Sequence, residues 1–132
     1  MASIHKSVAL NAHPDDVWDA VRDFGALHTR LVPGFVLDTR LEDDARIVTF
    51  ANGTMARELL VDCDEARRRL VYAVIGERMK HYNASVQVCA DGETRSRLVW
   101  IIDLLPNDIA SYVDGQMDQA GLAMQKALGH AA

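Results

Sequence analysis

Residues 96–129 read SRLVWIIDLLPNDIASYVDGQMDQAGLAMQKALG, and this stretch decides the fold. It begins with a strand-like segment, Ser96–Leu105, which Pro106-Asn107-Asp108 ends. Apolar side chains then recur at helical spacing, at Ile109, Val113, Met117, Ala120, Met124 and Ala127. Gly129 supplies a C-terminal stop for this helix. A sheet followed by a single long helix tends to wrap around it, so the space between them is either a packed core or a ligand pocket.

Upstream of this stretch the hydrophobic pattern has a period of two, which is typical of strands. The predicted strands are Phe35–Leu41, Arg46–Ala51, Thr54–Cys63, Arg69–Ile75, His81–Cys89 and Ser96–Leu105. Their short connections indicate antiparallel neighbours. Asn52-Gly53 is a strong signal for a two-residue hairpin turn, because both residues tolerate positive φ.

The N-terminal part predicts one further strand, Ile4–Leu10, and two short helices. His13-Pro14-Asp15-Asp16 is a helix-start signal, since proline suits the first helical position and the acidic pair meets the positive end of the helix dipole. This helix ends at Phe24-Gly25, and Ala26–Leu31 adds one more turn. We therefore expect a single α+β domain over residues 1–132, with a seven-stranded antiparallel sheet, two short helices after the first strand and a long C-terminal helix.

Composition excludes several classes of protein. The net charge of -5 argues against nucleic-acid binding, which needs clustered Lys and Arg. The longest apolar runs are only a few residues, too short for a membrane-spanning helix. The N-terminus has no apolar signal-peptide core, so we expect a cytoplasmic protein. Cys63 and Cys89 lack metal-ligand spacing, and in that compartment reduced thiols are favoured over a disulfide.

Motifs for common enzyme classes are missing from the sequence. It contains no glycine-rich phosphate loop, no HExxH or CxxC, no GxSxG elbow, and no paired ligand spacing among its five histidines. We therefore expect no metal and no cofactor. A classical hydrolase, kinase or dehydrogenase is disfavoured, while an enzyme built in a lined cavity stays open.

Four local features carry a resemblance to a known superfamily. They are Pro14-Asp-Asp-Val-Trp18 with Val21-Arg-Asp-Phe24-Gly25, Arg57-Glu58-Leu59-Leu60-Val61-Asp62 with Arg69-Leu-Val-Tyr72, His81-Tyr-Asn-Ala-Ser85, and Ser96-Arg-Leu-Val-Trp100. In order and spacing the chain resembles the START/birch-pollen-allergen superfamily (SRPBCC, the helix-grip fold) from Ile4 to Leu128, within its polyketide cyclase/dehydrase and lipid-transport branch. The resemblance implies a sheet curled around the C-terminal helix with a cavity between them. Members bind lipids, sterols, hormones or polyketides, and a minority catalyse cyclisation.

Both faces of the central strands are partly apolar, so parity alone leaves the interior face open. The resemblance places four side chains inward, namely Glu58, Tyr72, Tyr82 and Trp100. A carboxylate in an apolar cavity is costly unless it is paired or hydrated. Glu58 is therefore either a ligand anchor or general base, or a structural residue at the mouth or paired with an arginine such as Arg46 or Arg78.

The full candidate set adds one residue of the fifth strand and one face of the last helix. The candidate ligand-binding residues are Glu58, Tyr72, Val74, Tyr82, Trp100, Val113, Met117, Gly121 and Met124. Glu58 is also the candidate catalytic residue, and the aromatic and helix residues have plain core packing as their alternative. A mid-helix glycine costs about 1 kcal/mol relative to alanine, so we expect another group to approach Gly121 closely.

Three functions follow from this set. The leading hypothesis is a carrier or sensor of a small hydrophobic or polyketide-like ligand. The second is a polyketide cyclase or aromatase, in which Glu58 abstracts a proton and Tyr72 or Tyr82 stabilises the enolate oxygen. The third is a structural or self-association module with a filled cavity. A monomer and a homodimer are compatible with all three. The Asn52-Gly53 and Gly76–Met79 loops are expected near the entrance.

Overall fold

A computed structural model describes residues 1–76 and 78–129. Within these residues seven strands form one antiparallel sheet: β1 (Ala2–Leu10), β2 (Val36–Glu42), β3 (Ala45–Phe50), β4 (Met55–Asp64), β5 (Arg69–Ile75), β6 (His81–Ala90) and β7 (Ser96–Leu105). Their order across the sheet is β1-β7-β6-β5-β4-β3-β2. The chain thus meanders from β2 to β7, as the short connections predict, and β1 pairs with β7.

The helices confirm the predicted α+β architecture. Helix α1 (Pro14–Arg22) and a π-helical turn at Leu27–Leu31 lie between β1 and β2. After β7 a 3₁₀ turn at Asn107–Ile109 leads into α2 (Ala110–Leu128), which Gly129 ends as predicted. Helix α2 packs mainly on β1 and on the Leu27–Leu31 turn. The sheet therefore curls around α2, as in the helix-grip fold.

The core fills the concave side of the sheet under the helices. Leu98, Ile102 and Leu104 of β7 are fully buried there, and β1 contributes Val8. The expected close approach to Gly121 lies at this seam, since a Cβ on Gly121 would stand 3.3 Å from Val8 Cγ2. Glycine at this position allows α2 and β1 to pack closely, which compensates for its low helix propensity.

The β3–β4 turn is one residue longer than predicted. The Phe50 N–H donates to the Thr54 carbonyl (2.8 Å), and Gly53 N–H donates to the Phe50 carbonyl (2.9 Å). Three residues, 51–53, therefore form the turn, with Gly53 at φ +89°. The Asn52 side chain accepts a hydrogen bond from the Thr54 N–H (3.0 Å), which stabilises the longer turn. This change sets the register that pairs Arg46 with Glu58.

Helix α1 begins as the sequence predicts and is tied to the β4–β5 connection. His13 Nδ1 accepts a hydrogen bond from the Asp15 N–H (3.1 Å), and Pro14 is the first helical residue. Further along α1, Trp18 Nε1 donates to Glu65 Oε2 (2.7 Å) and Arg22 Nε donates to Glu65 Oε1 (2.8 Å). One carboxylate thus joins the helix to the sheet.

This contact predicts a titration that NMR can follow. The Trp18 N–H, followed by the Arg22 guanidinium, lowers the pKa of Glu65 below its usual 4.5. A lowered folded-state pKa stabilises the protein above pH 4.5, and that contribution is lost as the pH falls through the folded pKa. We expect the Trp18 indole N–H signal to shift with a midpoint below pH 4.5. Glu65→Gln removes that step, whereas Glu93→Gln, in an exposed turn, retains it; a midpoint at or above 4.5 contradicts this assignment.

No helix in residues 1–76 and 78–129 is long and apolar enough to cross a membrane. Glu77, part of the second predicted entrance loop, lies outside the described residues.

Candidate functional site

The concave face holds a buried ion pair where β3 and β4 run side by side. Arg46 and Glu58 are directly opposed across the two strands. Glu58 Oε1 accepts from both Nε and Nη2 of Arg46, each at 2.8 Å. Their side chains are 6% and 7% exposed. The sequence left open whether Glu58 contacts a ligand or has a structural role, at the mouth or in a pair with an arginine. In the structure its carboxylate lies inside and is paired with Arg46.

Two aromatic rings hold the arginine in place. The Arg46 Cζ atom lies 4.1 Å from the centre of the Phe24 ring and 5.2 Å from that of Tyr72. Arg46 Nη1 also donates to the Phe24 carbonyl (3.3 Å). A guanidinium between two ring faces gains cation–π attraction and loses freedom to move. The orientation of the Glu58 carboxylate is therefore fixed by its partner.

The two candidate phenols lie close to this pair. Burial raises the pKa of Tyr72, and the Glu58 charge raises it further, while Arg46 and the Trp100 N–H act in the opposite direction. Burial also raises the pKa of Tyr82, with additional contributions from Tyr72 and Glu58. Both phenols therefore keep their protons at neutral pH and remain hydrogen-bond donors. The structure brings together all four side chains that the resemblance placed inward.

Trp100 supplies a further donor to this group. Its Nε1 atom is buried and makes no hydrogen bond of normal geometry, although it lies close enough to the Tyr72 hydroxyl to lower the pKa of that phenol. Tyr72 lies on β5 and Trp100 on β7, and β6 runs between these two strands. Ala84 of β6 is paired with Tyr72 on one side and with Ile102 on the other. An unsatisfied buried donor costs about 1–3 kcal/mol. A hydrogen-bond acceptor placed here would remove that cost.

Packing around this group is less complete than in the rest of the core. Val74, Tyr82 and Trp100 are only half-buried, although Ala84 and Ile102 on the same concave face are fully buried. On the other wall, the buried face of α2 carries the remaining candidates, Val113, Met117, Gly121 and Met124. The candidate set is thus divided between the sheet and α2, and its apolar members outside Gly121 belong to, or pack against, one hydrophobic core.

Two clefts formed by described residues flank α2. The larger has a volume of about 460 Å³ and lies between α2 and the ends of β2 and β3. Its lining residues are Pro33, Gly34, Phe35, Phe50, Ala51, Asn52, Gln116, Gln119, Leu122, Ala123 and Lys126. The Phe35 and Phe50 rings meet edge to face in it, 5.6 Å apart. Asn52 Nδ2 donates to Tyr112 Oη (3.0 Å), joining the β3–β4 turn to α2.

The smaller cleft, about 160 Å³, lies between β1 and α2 and includes Met117 and Gly121. The other candidate residues line neither of these two clefts. Of the lining of the larger cleft, sequence reasoning named only Asn52, whose loop was expected near the entrance. Phe50 lies on the same strand face as Arg46, and this alternation could have placed it in the cleft. Gln116 and Gln119 lie on the polar side of α2, where the sequence pattern does not indicate a cleft.

Charge and metal-ligand chemistry in the site are limited. Within the described residues, Arg46 and Glu58 are the buried charged side chains. The same part of the chain contains no group of three or more His, Cys, Asp or Glu residues placed to hold a metal ion. Cys63 and Cys89 are half-buried free thiols.

Comparisons with known proteins agree with this architecture. The family model described as polyketide cyclase / dehydrase and lipid transport matches residues 1–130. No curated protein sequence matches this chain. Among solved structures, XoxI from Bacillus cereus is 19% identical with a TM-score of 0.87, covering 97% of this chain and 96% of that one.

Two further solved structures share the fold at low identity. A START superfamily protein from Mycobacterium smegmatis is 12% identical with a TM-score of 0.69, covering 94% of this chain and 97% of that one. Norcoclaurine synthase from Thalictrum flavum, solved as a point mutant with a transition-state analogue, is 18% identical with a TM-score of 0.64, and 95% of each chain is covered.

Proposed function

Because this chain belongs to the polyketide cyclase / dehydrase and lipid transport family, we propose that it binds a small, mostly apolar ligand between the sheet and α2, as a carrier or sensor. One observation carries the proposal: the Trp100 N–H is buried beside the Tyr72 hydroxyl without a hydrogen-bond partner. Natural proteins rarely leave such a donor unsatisfied. A carbonyl or hydroxyl oxygen of a ligand would supply an acceptor for this donor.

The remaining candidates have apolar roles in the proposed site. The Tyr82 ring and Val74 provide the sheet wall, while Val113, Met117, Gly121 and Met124 provide the helix wall. Methionine side chains adapt their shape to different apolar ligands. The 460 Å³ cleft beside α2 is within the range of about 300–1,000 Å³ that is usual for ligand pockets, which supports access from that side.

The ion pair favours a binding role over the cyclase role. A general base must exchange a proton at its carboxylate during each turnover. Here two N–H groups of Arg46 hold one oxygen of Glu58, and two aromatic rings hold Arg46. This arrangement holds the Glu58 carboxylate in one orientation, as a fixed anchor requires.

Native mass spectrometry of the purified protein tests the proposal. We expect an additional mass that is lost on denaturation and recovered in an organic extract. Tyr72→Phe removes one donor while it keeps the ring, so occupancy or affinity should fall about 5- to 10-fold, the usual effect of one hydrogen bond. Tyr112→Phe, on the exposed side of α2, is the matched control and should bind within about twofold of the unmodified protein. Equal occupancy in both variants contradicts the assignment of Tyr72.

A further inference from the structure

The interior of the proposed site contains compensated charges. Arg46 and Glu58 neutralise each other through two hydrogen bonds of 2.8 Å. At the seam between β1 and α2, Lys6 is already paired with Asp114 (2.5 Å) and Asp118 (3.0 Å). Arg46 and Glu58 are the buried charged side chains of the described residues, and neither is free to neutralise a charged ligand.

The hydrogen-bonding groups around the pair are mostly donors. Trp100 offers an N–H, and Tyr72 and Tyr82 offer hydroxyls that keep their protons. These donors require an acceptor, which a carbonyl oxygen provides. Arg46 Nε and Nη2 both contact Glu58 Oε1 and Nη1 donates to the Phe24 carbonyl, so the guanidinium is not available to a ligand anion.

From this balance we infer that the ligand is uncharged and presents a carbonyl oxygen to Trp100 and Tyr72, as in a ketone, aldehyde, ester or lactone. The inference rests on the proposed function and narrows its ligand class. A carboxylate or an ammonium group would enter the apolar interior without a counter-charge, which is strongly unfavourable. The selectivity therefore comes from the absence of an uncompensated charge in the interior, where Arg46 and Glu58 neutralise each other.

Matched naphthalene probes test this inference by isothermal titration calorimetry. The four probes are 2-acetylnaphthalene, 2-naphthoate, 2-naphthylmethylammonium and naphthalene. They share one ring system and differ in charge and in the carbonyl group. We expect 2-acetylnaphthalene to bind at least about tenfold more tightly than either charged probe, and more tightly than naphthalene.

Glu58→Gln gives the sharpest prediction. The substitution leaves the Arg46 guanidinium without its carboxylate, so the interior gains an uncompensated positive charge. Binding of 2-naphthoate should then improve by at least about tenfold, while binding of the ammonium probe should not. A double variant, Arg46→Met with Glu58→Leu, removes both charges and keeps the site apolar. Its preference for 2-acetylnaphthalene over 2-naphthoate should remain at least about tenfold, even where Glu58→Gln fails to fold.

The possible outcomes distinguish failure of this inference from failure of the proposed ligand-binding function. Two results would overturn the inference that the ligand is uncharged while leaving ligand binding intact. One is that the unmodified protein binds 2-naphthoate as tightly as 2-acetylnaphthalene, and the other is that the double variant gains affinity for 2-naphthoate. If none of the four probes binds up to its solubility limit, the inference is overturned, while the proposed function is decided by the presence or absence of a bound mass in native mass spectrometry.

Discussion

Replacement of Arg46 by methionine should lower the free energy of unfolding by about 3–5 kcal/mol, because it leaves the buried Glu58 carboxylate without its counter-ion. Glu58 accepts two hydrogen bonds from Arg46, and both side chains are nearly inaccessible to water. The lost stacking of the guanidinium between Phe24 and Tyr72 acts in the same direction. Urea denaturation followed by circular dichroism measures the change.

A surface pair of the same residue types provides the matched control. Arg57 Nη1 lies 2.6 Å from Glu42 Oε1, but the two side chains are 38% and 46% exposed. Arg57→Met should therefore cost only about 0–1 kcal/mol. The double variant Arg46→Met with Glu58→Leu should recover most of the loss, since no charge is left buried. Equal costs for Arg46→Met and Arg57→Met would contradict a buried, energetically coupled pair.

Gly129→Ala should lower the free energy of unfolding by about 1–3 kcal/mol. Gly129 has φ +126°, a conformation that side chains disfavour, and a Cβ at this position would stand 2.5 Å from the Asn11 carbonyl oxygen. The Gly129 carbonyl also accepts a hydrogen bond from the Asn11 N–H (3.1 Å), which joins the end of α2 to the segment after β1. A backbone shift that relieves the clash would strain this hydrogen bond.

Gly115→Ala is the control for that substitution. Gly115 lies inside α2, and nothing stands within 4 Å of the position that its Cβ would take. Alanine there should raise the free energy of unfolding by as much as about 1 kcal/mol through helix propensity alone. Opposite signs for the two glycines are expected in thermal or urea denaturation, and a stability gain from Gly129→Ala would contradict the structure at the end of α2.

The fold was accessible from the sequence because the hydrophobic period changes from two to 3.6 where the sheet ends. The predicted strands Arg69–Ile75 and Ser96–Leu105 match β5 and β7 residue for residue. The start of the last helix was less sharply marked, since a 3₁₀ turn at Asn107–Ile109 precedes α2. Local patterns fix the type of an element better than its first residue.

The candidate site was accessible only in part, because register depends on turn geometry. A two-residue turn at Asn52-Gly53 would set Arg46 opposite Leu59, whereas the three-residue turn sets it opposite Glu58. The sequence therefore offered Arg46 and Arg78 equally as partners of Glu58. The longer turn depends on an Asn52 side-chain hydrogen bond to Thr54, a contact that period and composition do not encode.

The most direct test of ligand binding uses the two tryptophan indole N–H signals in a ¹H–¹⁵N correlation spectrum. The Trp18 N–H is already bonded to Glu65, whereas the Trp100 N–H has no partner. On titration with 2-acetylnaphthalene, we expect a saturable downfield shift of the Trp100 signal while the Trp18 signal stays in place. Saturable binding that leaves the Trp100 signal unmoved would contradict a carbonyl-binding site between the sheet and α2.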